Sequence, residues 1–218
     1  MLVASEPIHL LAWKQLLEAL KLPYDPSIIQ LQVGKTAPEI LKTILNIYKP
    51  GWNPNDYNVN ELAKLKSDFY LPLALGGLQA YPGATEGLEW LRSKKIATAV
   101  VSNAKRRELK ETLERLNLFN YFDLVISRDD VQLPKPDPTP YLFAAASLGL
   151  EVQDCMAVED SPPGIEAALF AKIPSAAITS NFTHQELTYP VPGRPDLQPV
   201  WIGSSLVQFF EWLKILTE

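Results

Sequence analysis

Leu10, Trp13, Leu16, Leu17 and Leu20 recur at helical spacing, with Lys14, Gln15 and Glu18 between them. The pattern predicts an amphipathic helix from about His9 to Lys21. Leu22-Pro23-Tyr24-Asp25-Pro26 ends it. A second helix is predicted from Pro38, which sits in its first turn, to Tyr48. The turn residues Pro50-Gly51-Trp52-Asn53-Pro54-Asn55 mark a loop. A third helix follows from about Val59 to Leu71. The chain up to about Leu75 therefore reads as wholly helical.

The pattern changes after Gly76-Gly77. Short apolar runs now alternate with helical stretches. The predicted strands are Ile96 to Val101, Leu124 to Ile126, Cys155 to Val158 and Ser175 to Ile178. The predicted helices are Glu86 to Ser93, Lys105 to Leu116, Pro138 to Leu148, Pro163 to Ala171 and Ser205 to Leu216. Runs apolar on both faces suit a parallel sheet buried between helix layers. The alternation implies an α/β fold, a doubly wound parallel sheet, preceded by an all-helical insert. In such folds chemistry sits beyond the carboxyl ends of the strands. Ser102, the acidic residue after Ser127-Arg128, and Glu159-Asp160 all fall there.

Composition narrows the class. The 218 residues are 47% hydrophobic and 21% charged, enough for a sizeable core. A net charge of -5 argues against a nucleic-acid surface, which is usually basic. Cys155 is the single cysteine, so internal disulfides and Cys-rich zinc sites are excluded; this fits a reducing cytoplasm. No apolar run is long enough to span a bilayer, and the first residues lack the pattern of a signal peptide. A membrane partner is therefore not expected.

Three segments carry the candidate chemistry. Ser102 follows a buried strand, where a hydroxyl and the next N–H, that of Asn103, can hold a phosphate oxygen. The same pair would also serve as a helix cap. Lys135 lies in Leu133-Pro134-Lys135-Pro136-Asp137-Pro138. Prolines on both sides stiffen the loop, so its ammonium is presented at a defined place to a phosphoryl group. A solvated loop lysine is the plain alternative. Glu159-Asp160 closes a strand, and adjacent carboxylates there suit Mg²⁺, a hard cation with oxygen ligands. Here too the alternative is a helix cap, by Asp160 or Ser161. His184 is expected in a surface loop, and tryptophans 13, 52, 90, 201 and 212 in packing.

Taken together, the segments resemble the haloacid dehalogenase-like superfamily, in the branch of β-phosphoglucomutase-like phosphatases and mutases. Ser102 matches its second motif, Lys135 its third and Glu159-Asp160 its fourth. Val158-Glu159-Asp160-Ser161-Pro162-Pro163-Gly164 and Tyr81-Pro82-Gly83 are typical of that branch. The resemblance implies a helical cap over 5–77 and a core from 1–4 and 78–218. It implies Mg²⁺ held by Glu159 and Asp160, and a small phosphorylated metabolite as substrate. It further implies phosphate contacts from Ser102, Asn103, Lys105, Lys135 and Lys35, and an acid/base role for His9. Ser5-Glu6-Pro7-Ile8-His9 and Trp13 look like the segment that follows the family's Asp-x-Asp-Gly run. In that family its first aspartate attacks phosphorus and the second protonates the leaving group.

In this sequence no aspartate occurs before Asp25. The family's first strand lies at the centre of the sheet. The expectation is thus a shortened version of a longer protein, with little turnover by residues 1–218 alone. A binding protein that has lost the nucleophile is the competing expectation. A mutase needs a second phosphate grip; Ala37 stands where an arginine is common, and no arginine occurs before Arg92, which tilts the reading toward a phosphatase.

Overall fold

The computed structural model describes residues 2–217. Its first part is helical: α1 Glu6–Ala19, α2 Pro26–Gln30, α3 Ala37–Tyr48 and α4 Val59–Gly77. The apolar stripe read from the sequence is what they bury. Trp13, Leu16 and Leu17 of α1 meet Ile40, Leu41, Ile44 and Leu45 of α3 in one cluster. Thr36 and Glu39 close a reciprocal capping box at the start of α3. Asp25 caps the short α2, which the sequence pattern does not signal.

The third predicted helix ends later than Leu71. It continues through Pro72, Gly76 and Gly77. Tyr70 and Ala74 are buried against Ile8 and Ala12 of α1, and this tertiary packing carries the helix past its weak residues.

The remainder alternates. The elements are α5 Ala84–Ser93, β1 Ala99–Val101, α6 Arg106–Arg115, β2 Leu124–Ile126 and α7 Thr139–Leu148. They continue with β3 Ala157–Glu159, α8 Pro162–Phe170, β4 Ser175–Ile178, α9 His184–Thr188, β5 Trp201–Gly203 and α10 Leu206–Thr217. All strand pairs are parallel. β1 pairs with β2, and β4 lies between β3 and β5. Helices cover both faces. Val100 packs among Leu88, Leu109 and Leu113, while Val101 packs with Tyr141 and Ala168. The chain is thus an α/β protein of parallel sheets and many helices. Among the described residues no ladder joins the β1-β2 pair to the β3-β4-β5 sheet.

Ile96 does not start a strand as its apolar run suggests. Lys95 adopts a left-handed conformation (φ 56°), and the Ile96 N–H returns to the Leu91 carbonyl at 3.0 Å. Ile96 therefore belongs to the C-terminal turn of α5. The same closure ends α1 at Lys21, α6 at Asn117, α7 at Gly149 and α8 at Lys172. His184 begins α9 rather than lying in a loop, capped by Thr183. β5 was too short to stand out after Pro199.

Leu16 is fully buried between α1 and α3. Leu16→Ala should lower stability by about 2–5 kcal/mol, read as a reduced urea midpoint. A change under about 0.5 kcal/mol would contradict the packing described.

Candidate active site

The helical lobe and the carboxyl ends of β1 and β3 enclose a cleft of about 810 Å³. Ser102, Asn103, Lys135, Glu159 and Asp160 line its floor; His9, Lys35 and Lys66 line the lobe side.

Lys135 is buried and spans the floor. Its Nζ donates to the Val101 carbonyl at the end of β1 (3.0 Å) and to Glu159 Oε1 at the end of β3 (2.6 Å). The Tyr141 hydroxyl donates to the same carboxylate oxygen at 2.5 Å. Asn103 fixes the lysine's backbone: its Oδ1 accepts from Lys135 N at 3.0 Å, and its Nδ2 donates to Lys135 O at 2.8 Å. The prolines and these bonds together explain why this loop lysine is not solvated. Gly164 permits the arrangement, since a β-carbon there would fall 2.2 Å from the Glu159 carboxylate.

Of the capping alternatives, the one through Ser161 holds. Ser161 Oγ accepts from Gly164 N and caps α8, so Asp160 does not. Ser102 does not cap α6; its Oγ accepts from Ala104 N at 3.1 Å. The Arg106 N–H at the start of α6 is met by Asp129 instead. Asp160 accepts from the Ser180 hydroxyl at 2.9 Å. Burial opposes its ionised form, yet positive charge nearby, Lys135 included, and the Ser180 bond hold the carboxyl below its ordinary range.

The donors suit Mg²⁺ in one respect. Mg²⁺ keeps several waters and takes one or two protein carboxylates plus substrate phosphate oxygens. Asp160 offers such a carboxylate on the cleft floor. Glu159 is already engaged with Lys135 and Tyr141, and among the described residues no three His, Cys, Asp or Glu side chains gather as a ligand cluster.

Two predicted phosphate contacts lie at the rim with partners of their own. Lys105 pairs with Asp129 at 2.9 Å, and Lys35 donates to Gln32 at 2.8 Å. His9 is deeper. Its ring stacks on Tyr70, and Lys66 donates to its Nδ1 at 2.7 Å, which fixes the neutral tautomer with the proton on Nε2. Burial, then the Lys66 charge, depress its pKa well below the ordinary 6.5.

Lys66 and Glu108 went unnoticed in the sequence. Lys66 is 4% exposed, sits 3.6 Å from Glu108 of α6, and Glu108 also takes the Ser67 hydroxyl. The signal was available. Ala63, Lys66, Ser67, Tyr70 and Ala74 form the buried face of α4, so a lysine stands on an apolar stripe. Glu108, Leu109, Thr112 and Leu113 do the same on α6. Burial of Lys66 pulls its pKa below the ordinary 10.5, while Glu108 works the other way.

The lobe is docked on the core at Gly34. Its carbonyl accepts from Asn103 Nδ2 at 2.9 Å. Its φ is +92°, and a β-carbon there would stand 2.8 Å from Ser161 Oγ. One amide thus links lobe, Lys135 loop and strand end.

A family model described as haloacid dehalogenase-like hydrolase matches residues 1–178. The chain belongs to this family. It is 29% identical over 172 residues to a phosphorylated carbohydrates phosphatase of Thermotoga maritima, covering 79% of this chain and 77% of that one. It is 33% identical over 133 residues to the phosphoglycolate phosphatase of Escherichia coli, covering 61% of this chain and 53% of the relative. The match thus spans about half the length of that relative. Among solved structures, a hydrolase from Pseudomonas syringae superposes with a TM-score of 0.85 at 23% identity, over 99% of this chain and 94% of the other. A β-phosphoglucomutase from Clostridium difficile gives 0.80 at 20% identity, over 99% and 92%. These two show a shared fold. Among the described residues no helix is long and apolar enough to cross a membrane.

Two outcomes follow from this geometry. Asn103→Asp keeps the acceptor for Lys135 N but loses the donor shared by Gly34 O and Lys135 O. The lobe should swing out, and solution X-ray scattering should give a larger radius of gyration; an unchanged curve would speak against the tether. His9 has a depressed folded pKa, so the unfolded state binds the extra proton first as pH falls below 6.5. Stability from this group is complete above that pH and is lost below it, at up to about 1.4 kcal/mol per pH unit. His9→Asn should flatten thermal stability between about pH 7 and 5; an undiminished slope would contradict the assignment.

Proposed function

We propose that the protein is a Mg²⁺-dependent phosphatase acting on a small phosphorylated, sugar-like metabolite, with the helical lobe at 5–77 as a substrate-selecting cap over the core of 1–4 and 78–218. The carrying observation is the cleft floor, where Ser102, the pinned ammonium of Lys135 and Asp160 come from three separate segments to one place. The phosphatase names of the relatives support the substrate class.

In this reading Ser102 and the Asn103 N–H receive phosphoryl oxygens, and Lys135 neutralises the charge that builds on them. Asp160 would hold Mg²⁺, which supplies further positive charge to the same oxygens. Glu159 acts through Lys135 by fixing its position. His9 remains neutral and presents Nε2–H as a donor toward the leaving group. Family resemblance assigns nucleophilic attack to an aspartate of the Asp-x-Asp-Gly run, and the cleft-floor residues named here bind and orient the ester for that attack. Lobe residues facing the cleft include Lys35, Lys42 and Lys66 but no arginine, which keeps the phosphatase ahead of the mutase.

Binding separates this reading from a chance cleft. Calorimetry with inorganic phosphate should show affinity that Mg²⁺ improves. Ser102→Ala should weaken phosphate binding by about tenfold, one charge-assisted hydrogen bond. Asp160→Asn should abolish the Mg²⁺ effect and leave the metal-free affinity within about threefold. Phosphate binding indifferent to both changes would overturn the site.

A further inference from the structure

Glu108 carries a charge that the phosphatase reading leaves without a role. It stands on α6 of the core, is 5% exposed, and reaches across to α4 of the lobe. Its Oε1 accepts from the Ser67 hydroxyl and lies 3.6 Å from Lys66 Nζ. Lys66 is buried as deeply, and its ammonium donates onward to His9 Nδ1 at 2.7 Å. Carboxylate, ammonium and imidazole thus form a line, and all three residues border the cleft. Tyr70 holds the line from the side. Its ring stacks on His9 with centroids 4.3 Å apart and lies 4.9 Å from Lys66 Nζ. The Tyr70 hydroxyl is 3.1 Å from Thr112 Oγ1, one turn beyond Glu108 on α6. Asp68 and Arg107 pair at the exposed edge of the same seam.

A buried ammonium beside a neutral ring is costly unless a carboxylate compensates it. Burial pulls Lys66 toward its neutral form; Glu108 is the strongest influence against this, and Glu6 adds a weaker one. The ionisable groups acting on the line are therefore Glu6 on α1, Tyr70 on α4 and Glu108 on α6, with Asp160 on the floor acting in turn on Glu6. The state of Lys66 decides what His9 can do. An ammonium has three donors and no acceptor, so it can only donate to Nδ1, and the ring proton must lie on Nε2. Its charge also keeps a second proton off the ring. A neutral amine accepts as well as donates, and both constraints would relax.

We infer that Glu108 is a positioning residue for His9: from the core side its carboxylate keeps Lys66 charged and aimed at Nδ1, and through Lys66 it holds the imidazole neutral with Nε2–H presented. The Ser67 hydrogen bond orients that carboxylate. The use of Nε2–H toward a leaving group rests on the phosphatase reading; the hold of Glu108 on His9 does not.

The test follows the imidazole signals of the 218-residue chain, labelled with ¹⁵N-histidine, by NMR against pH. The chain has two histidines, and exposed His184 serves as the internal reference. In the wild-type protein the His9 signals should report Nε2–H and stay constant from about pH 6 to 9. Glu108→Gln keeps an acceptor for Ser67 and removes the charge. Its His9 signals should move through a titration step inside that range as Lys66 loses its proton, at least about one pH unit below any wild-type step. Glu108→Asp restores the charge and should restore the constant response. Loss of stability is expected on breaking any buried pair, but a merely structural pair would not give His9 a new titration step.

A His9 response in Glu108→Gln as flat as that of the wild type overturns the inference. So does a step below about pH 9 in the wild-type protein, a result that needs no variant to fold. A Glu108→Asp variant that titrates as Glu108→Gln does also overturns it, since shape and not charge would then set His9. The wild-type and Glu108→Asp titrations decide the matter if Glu108→Gln fails to fold. Absence of any affinity of the wild-type protein for inorganic phosphate would fault the phosphatase reading and leave the His9 result standing.

Discussion

The buried Lys135–Glu159 pair is the interaction on which the site depends. The lysine reaches from a proline-stiffened loop to the end of β1 and to a carboxylate at the end of β3. It is the polar bond that crosses the gap between the two sheets at the cleft floor. An isolated charge at this depth would cost several kcal/mol, so each partner requires the other. Tyr141 and Asn103 complete the hydrogen bonding of carboxylate and loop backbone, and Gly164 leaves the room. Specificity of position, more than stability, is what such a buried pair provides here. A cation held at one place is what a phosphoryl group needs.

A second buried pair sits on the other side of the cleft. Lys66 and Glu108 connect α4 of the lobe to α6 of the core, with His9, Tyr70 and Thr112 around them. The lobe therefore meets the core through charge and hydrogen bonds rather than through a broad apolar face. Its own apolar residues are spent internally on the cluster around Leu16 and Leu41. Polar contacts of this kind are compatible with relative motion, and the Gly34–Asn103 bond ties the lobe to the residue that also holds the Lys135 backbone.

Much of this was legible in the chain. Parallel strands between helices follow from short apolar runs, and Ser102, Lys135 and Asp160 meet because each stands at a strand end or in a stiff loop. The helix ends were less legible: four left-handed residues that close helices are lysine or asparagine, not glycine, so no glycine marks them. Pro72 and Gly76-Gly77 read as stops, yet packing of Tyr70 and Ala74 on α1 overrides them. Glu159 reads as a metal ligand by adjacency to Asp160; the structure adds that its Oε1 accepts from Lys135 and Tyr141, a link that adjacency in sequence does not reveal. Lys66 and Glu108 were hidden because each is distant in sequence from its partner, though their places on apolar stripes mark them in retrospect.

The account stands on one arrangement: a phosphoryl group held on the cleft floor by Ser102 and Lys135, with a cation at Asp160. A crystal structure of the protein grown with Mg²⁺ and vanadate tests it most directly. The account predicts vanadate oxygens within hydrogen-bond distance of Ser102 Oγ and Lys135 Nζ, and a metal on the Asp160 carboxylate. Vanadate bound elsewhere, or an Asp160 carboxylate without metal while vanadate occupies the floor, would contradict it.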